Sequence, residues 1–128
     1  QHIPLENESF DAVICNHIME HVEDDRLAMR EIKRILRKGG WGVILSPVDI
    51  QRETTFEDDT ITDEAERTRI FGQYDHRRIY GRDYFDRLTA AGFTVGRLTP
   101  TPAQARLYAL LPAEQLIIAR KPQLPQLP

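Results

Sequence analysis

Residues 9–46 read SFDAVICNHIMEHVEDDRLAMREIKRILRKGGWGVILS, and this stretch decides the fold. Ser9–Cys15 is a short, almost continuous apolar run set between Glu6-Asn7-Glu8 and Asn16. An apolar run without alternation is the pattern of a strand buried on both faces, as parallel sheets produce. Asp24 offers an N-cap, and its acidic neighbours Glu23 and Asp25 suit the positive end of a helix dipole. Ala28, Ile32, Ile35 and Leu36 then recur at helical spacing, with Arg30, Lys33, Arg34 and Arg37 largely off that stripe. The helix is expected to run from Asp24 to Arg37 and to stop at Lys38-Gly39-Gly40, where basic charge is followed by glycine. Trp41–Ser46 reads as a second buried strand, ended by Pro47. Two strands joined by one helix make a βαβ unit, with a right-handed parallel crossover.

Beyond Pro47 the chain turns polar, and no strand alternation is visible from Asp49 to Arg78. A short helix is expected from Thr62 or Asp63 to Phe71-Gly72. A segment this long is an insertion (residues 49–80) of the kind that serves as a lid or binding loop. Its part from Asp49 to Gly72, poor in apolar residues, is expected to be the least protected against hydrogen exchange. Asp83–Ala91 follows as a helix, with Tyr84, Phe85, Leu88 and Ala91 on one face and Gly92 as its stop. Phe93–Thr99 and Gln115–Lys121 read as strands, with one helical turn around Ala103–Leu110 between them. Residues 1–121 thus form one α/β domain, and residues 122–128 a proline-spaced, extended tail.

Composition narrows the setting. The 128 residues carry a net charge of −3 and no dense Lys/Arg stripe, which gives no electrostatic reason to expect nucleic acid. The longest apolar runs are far too short to span a bilayer, and no charged segment followed by an apolar one opens the chain. Cys15 is the only cysteine, so no internal disulfide forms. A soluble, cytoplasmic protein without nucleic-acid or membrane partners is expected. The first residue is Gln and a strand is under way by residue 10, which points to a cut or processed chain.

Four short motifs carry a family resemblance. Pro4-Leu5-Glu6-Asn7-Glu8-Ser9-Phe10-Asp11 resembles the "LPF-x-(D/E)-x-SFD" entry into the fourth strand of class I S-adenosylmethionine-dependent methyltransferases of the type-11 kind. Asn16–Val22 resembles the "N-H-x-x-E-H-V" turn after that strand. Arg34–Gly40 resembles "R-x-L-K-P-G-G", with Lys38 where proline is usual, and Ala91-Gly92-Phe93 resembles the "AGF" before the sixth strand. Together they span residues 3–99, in the family's order and at its spacing. The resemblance implies the C-terminal half of a Rossmann-like sheet, strand order 4-5-7-6, the seventh strand antiparallel. The glycine-rich turn and the acidic residue that bind most of the cofactor in this family have no counterpart here. S-adenosylmethionine binding is therefore expected to be weak or absent, and the chain alone inactive.

The same resemblance implies site residues. Cys15, Asn16, His17 and His21 would line the methionine end of the cofactor, with His17 as a candidate base toward a small-molecule acceptor. His76 is the second candidate base, and Pro47, Arg78 and Tyr80 would face the acceptor. The plainer reading also stands: a turn-stabilising Asn16, a solvated His17, and a loop pinned by Tyr74 and Tyr80. Glu57-Asp58-Asp59 is read as a solvated acidic face and Cys15 as a small buried hydrophobe. His17-x-x-Glu20-His21 also spells an inverted zinc-protease motif, which would need a helix through residues 17–21 where none is indicated. No metal is assigned, and a non-catalytic interaction module remains the rival to the enzyme. Finally, the fourth strand would present an unpaired edge and both helices would cover one sheet face, leaving Val13, Ile44 and Ile117 or their alternate neighbours bare. A homodimer through that edge or face is expected.

Overall fold

The computed structural model describes residues 2–110 and 116–123. The tail from Leu124 onward lies outside the described residues, as do Gln1 and Gln115. The elements run β1 (Phe10–Asn16), α1 (Asp25–Ile35), β2 (Leu36–Leu45), β3 (Phe56–Glu57), α2 (Glu64–Phe71), β4 (Arg78–Ile79), α3 (Tyr84–Ala90), β5 (Thr94–Leu98), α4 (Pro102–Tyr108) and β6 (Leu116–Arg120). The main sheet has the order β1-β2-β6-β5. β1 and β2 are parallel, and β6 runs antiparallel to both β2 and β5. This is the 4-5-7-6 half-sheet that the sequence implied.

α1 starts as expected, with the Asp24 carboxylate accepting from the Leu27 N–H at 2.8 Å. Its end is a correction. The helix stops at Ile35, before the glycines, and Leu36 is already extended and fully buried. The Arg34 and Ile35 carbonyls accept from the Glu8 and Ser9 N–H groups at 3.0 and 2.8 Å, so tertiary bonds from the preceding loop end the helix before the glycine signal can. Gly40 has a different task. A Cβ there would stand 2.8 Å from the Arg37 carbonyl oxygen and 3.0 Å from that of Asp11, so only glycine lets β2 lie this close to β1.

A second correction concerns burial. β1 is not covered on both faces: only Cys15 is buried, and Ile14 is 70% exposed. Register pairs Cys15 with Ile44, and Ile117 of β6 joins them in the core. These three face α1 and α3 in one core with Met29, Ile32, Leu36, Tyr84, Leu88 and Phe93. Ile44 and Ile117 are therefore not the bare residues. The less covered face carries their alternate neighbours Ile14, Val43 and Ile118.

The insertion holds more structure than its sequence suggested. α2 has the expected caps, Asp63 accepting from the Glu66 N–H at 2.8 Å and Gly72 in the left-handed conformation. β3 and β4, however, form an unexpected antiparallel ladder, with Phe56 opposite Ile79 and Glu57 opposite Arg78. The far end is tied back to the sheet by the Asp49 N–H, which donates to the Tyr80 carbonyl at 2.9 Å. No helix among the described residues is long and apolar enough to cross a membrane.

Candidate active site

The site forms where β1 and β2 end side by side, the position at which open α/β sheets receive ligands. The His17 N–H donates to the Leu45 carbonyl at 2.9 Å, carrying the pairing one residue past β1. His17 itself has φ +52°, a sharp left-handed bend that turns the chain off the sheet. Met19 and Glu20 then turn inward and are buried, while Asn16, His17 and Ile18 stay exposed. The two strand ends are tied together by the Ser46 hydroxyl, which donates to Glu20 Oε2 at 2.7 Å.

Beside this turn lies a cavity of about 520 Å³, lined by His17, Ser46, Pro47, Arg82, Phe85 and Arg97, among others. Two of the predicted residues, His17 and Pro47, are on its wall. Arg82 and Arg97 were not foreseen. Arg97 stacks its guanidinium on the Phe85 ring at 3.6 Å, which holds its charge at the rim. Arg97 comes from β5 and Arg82 from the residue after Gly81, so no local spacing links them; only the topology does. On the other side of β1 an apolar groove runs along Ile3, Val13, Ile14, Cys15, Ile18 and Ile32. Cys15 belongs to this groove and to the core. Burial, and then the nearby Glu20 charge, push its thiol up to about 11, so it is no nucleophile at neutral pH.

Arg78 and Tyr80 are placed differently from the acceptor role expected of them. Arg78 is 3% exposed, with Nε on Glu57 Oε2 at 2.9 Å. Its other nitrogens donate to the carbonyls of Met19, Val22 and Glu23 at 2.7, 2.6 and 2.9 Å. The Tyr80 hydroxyl is buried between the Met19 carbonyl and Asp25 Oδ2, at 3.0 and 2.8 Å. Burial and the Asp25 charge raise its pKa far above the ordinary phenol value. Both side chains are positioning groups that hold the turn after β1. Glu57 is likewise more than a solvated acid, because it joins Arg78 to Arg87. Asp25, 2.9 Å from Arg87, completes a buried polar staple between α1, α3 and the insertion.

His21 and His76 meet, but away from the cavity wall. Their ring centroids are 4.7 Å apart, edge to face, because the Arg77 N–H donates to the Glu20 carbonyl at 2.9 Å and draws the insertion onto the turn. The zinc-protease pattern does not form: residues 17–24 carry no helix, so His17 and His21 do not share a helical face.

Comparison with known proteins agrees with this architecture. Residues 1–44 match the family model described as "Methyltransferase domain". A solved S-adenosylmethionine-dependent methyltransferase from Mesorhizobium loti is similar at 21% identity and TM-score 0.58, over 94% of this chain and 65% of that one. A Thermotoga maritima enzyme described as a possible histamine N-methyltransferase gives 20% and 0.54, over 94% and 60%. The 1,6-didemethyltoxoflavin-N1-methyltransferase of Burkholderia thailandensis, solved with bound 1,6-didemethyltoxoflavin and S-adenosylhomocysteine, gives 18% and 0.54, over 91% and 45%. This chain thus spans between 45% and 65% of the lengths of these structures. No curated protein matches it. The family resemblance read from the sequence is borne out.

Proposed function

We propose that this chain forms the acceptor side of a methyl-transfer site of the class I S-adenosylmethionine-dependent kind, a reading supported by the fold and by the match of residues 1–44 to the methyltransferase family model. The supporting observation is the joint strand end: Asn16, the last residue of β1, and His17, the first beyond it, are both exposed, and His17 also lines the adjoining cavity. These residues fit the methionine end of the cofactor, which when bound supplies an electrophilic methyl group on sulfur. Methyl transfer is an in-line displacement, so the chain's task is mainly to hold an acceptor atom in line. Pro47, Ser46 and Phe85 shape the cavity, and Arg82 and Arg97 favour a small acceptor with an anionic or strongly polar group. His17 is the best-placed base, on the cavity wall with its Nδ1 3.4 Å from the Glu20 carboxylate.

Binding of the cofactor by this chain alone should be weaker than about 1 mM, because the residues that would hold its ribose and carboxylate are not among these 128. Chemical-shift mapping with several millimolar S-adenosylhomocysteine tests this directly. Perturbations centred on Cys15–Ile18 are expected. Their absence would leave the rival reading, a scaffold without cofactor contact. The homodimer is likewise a proposal, supported by β1 as a sheet edge and by the exposed Ile14 and Ile18. Light scattering that finds a single-chain mass would overturn it.

A further inference from the structure

Glu20 is 2% exposed, yet its Oε1 accepts no hydrogen bond among the described residues. A carboxylate oxygen left like this is costly, since the group has lost water and gained no donor. Ser46 satisfies only the other oxygen. The orphaned atom faces imidazoles: His21 Nε2 stands 4.0 Å away and His17 Nδ1 3.4 Å. Glu20, His21 and His76 each offer one donor atom, and the three atoms lie within 4.8 Å of one another.

The outer contacts suit metal ligation. His21 Nδ1 stands 3.2 Å from Asp75 Oδ2, and His76 Nδ1 is 3.3 Å from the Phe71 carbonyl. A proton on His76 Nδ1, directed to the Phe71 carbonyl, leaves its Nε2 lone pair free, the arrangement in which a carbonyl fixes the tautomer of a metal-binding histidine. His21 Nδ1 lies beside the Asp75 carboxylate without a hydrogen bond among the described residues. Glu20 is fixed in turn by Ser46.

We propose that Glu20, His21 and His76 bind one divalent transition-metal ion of the zinc type. Two imidazoles and one carboxylate favour such an ion over magnesium or calcium, which prefer all-oxygen sets. Ligands about 2.1 Å from a tetrahedral ion stand about 3.4 Å apart, so the three side chains close by about an ångström on binding. Three protein ligands leave a coordination position open. This site differs from the inverted-protease pattern, because it takes His76 from the insertion and needs no helix. It also does not depend on the methyl-transfer reading, since Ser46 and His17 merely place it next to the cavity.

The test is calorimetric titration of the tag-free, chelator-stripped chain with zinc chloride. One ion per chain is expected. Loss of an outer partner alone costs about 10–100-fold in affinity, so Glu20→Gln and His76→Ala should each lose at least about 100-fold. His2→Ala, outside the cluster, should leave the affinity unchanged. Absence of binding, or equal affinity in the wild type and both ligand variants, overturns the proposal. Diethyl pyrocarbonate footprinting of the wild type keeps the test decisive if a variant fails to fold. Zinc should protect His21 and His76 while His2 still reacts; unprotected His21 and His76 would refute the site.

Discussion

Between Phe10 and Leu45 the chain is held by apolar burial, with Cys15, Ile32, Leu36 and Ile44 in one core. Between Asp49 and Tyr80 it is held chiefly by charge: Arg78 and Glu57 within the insertion, Arg87 and Asp25 outside it. The first region follows hydrophobic periodicity, a local property of sequence. The second rests on partners dozens of residues apart, and it positions the turn 19–23 beside the candidate site. A polar segment can therefore be a fixed structural part, provided its buried charges are all paired.

The comparison breaks most visibly at Arg87, 5% exposed and shared between Asp25 and Glu57. Arg87→Ala leaves Asp25 buried without its ion-pair partner and should cost about 3–5 kcal/mol in urea denaturation. Exchange protection should fall in residues 49–80 more than in β1 and β2. A loss below about 1 kcal/mol would mean that the insertion is held some other way.

Ile44→Ala probes the apolar region. Ile44 is fully buried between β1 and β6, and its truncation should cost about 3 kcal/mol. Here the pattern should invert, with β1 and β2 losing protection and the insertion keeping it. Tyr80→Phe removes one hydroxyl from the staple, with its bonds to Met19 and Asp25. About 1–2 kcal/mol is expected, since two buried acceptors lose a donor.

What could be read in advance divides along the same line. The βαβ unit and the caps Asp24, Asp63 and Gly72 were legible because each is written in neighbouring residues, whereas the order of the strands and the antiparallel direction of the last came from the family resemblance alone. The end of α1 was not, since Glu8 and Ser9 supply the bonds that stop it. Nor was the burial of Arg78 and Tyr80, because their partners lie 55 to 61 residues earlier. Of the candidate site, His17 was read through the strand-end rule and Pro47 through the family resemblance. Arg82 and Arg97 were invisible until β5 and the start of α3 met over the cavity.

Acid separates the charge-held region from the rest. Burial alone would raise the Glu57 pKa, but hydrogen bonds from Arg87 and Arg78 outweigh it and hold the carboxyl below its ordinary 4.5. A carboxyl depressed in the folded state contributes stability above its unfolded pKa and loses it as pH falls through the folded value. The stability difference between wild type and Glu57→Gln should therefore be constant from pH 7 to about 5 and shrink below about 4.5. A difference that stays flat to pH 3 would show that Glu57 acts by packing rather than by charge.

The smallest effect is a rate, and it reports on the apolar region alone. Cys15 is buried opposite Ile44, and its thiol is raised from 9.0 to about 11, chiefly by that burial. Two units of pKa mean about a hundredfold less thiolate at pH 8 than in an ordinary cysteine, and the thiolate is the reacting form. Alkylation by iodoacetamide should accordingly be slow in the native protein. Ile44→Ala opens the packing at the register partner of Cys15, so it should speed alkylation severalfold even where the fold survives. Arg87→Ala loosens the insertion but leaves the β1–β2 contact in place, and should change the rate far less. If both variants accelerate it equally, apolar sheet and polar staple melt together, and the division between them is only one of composition.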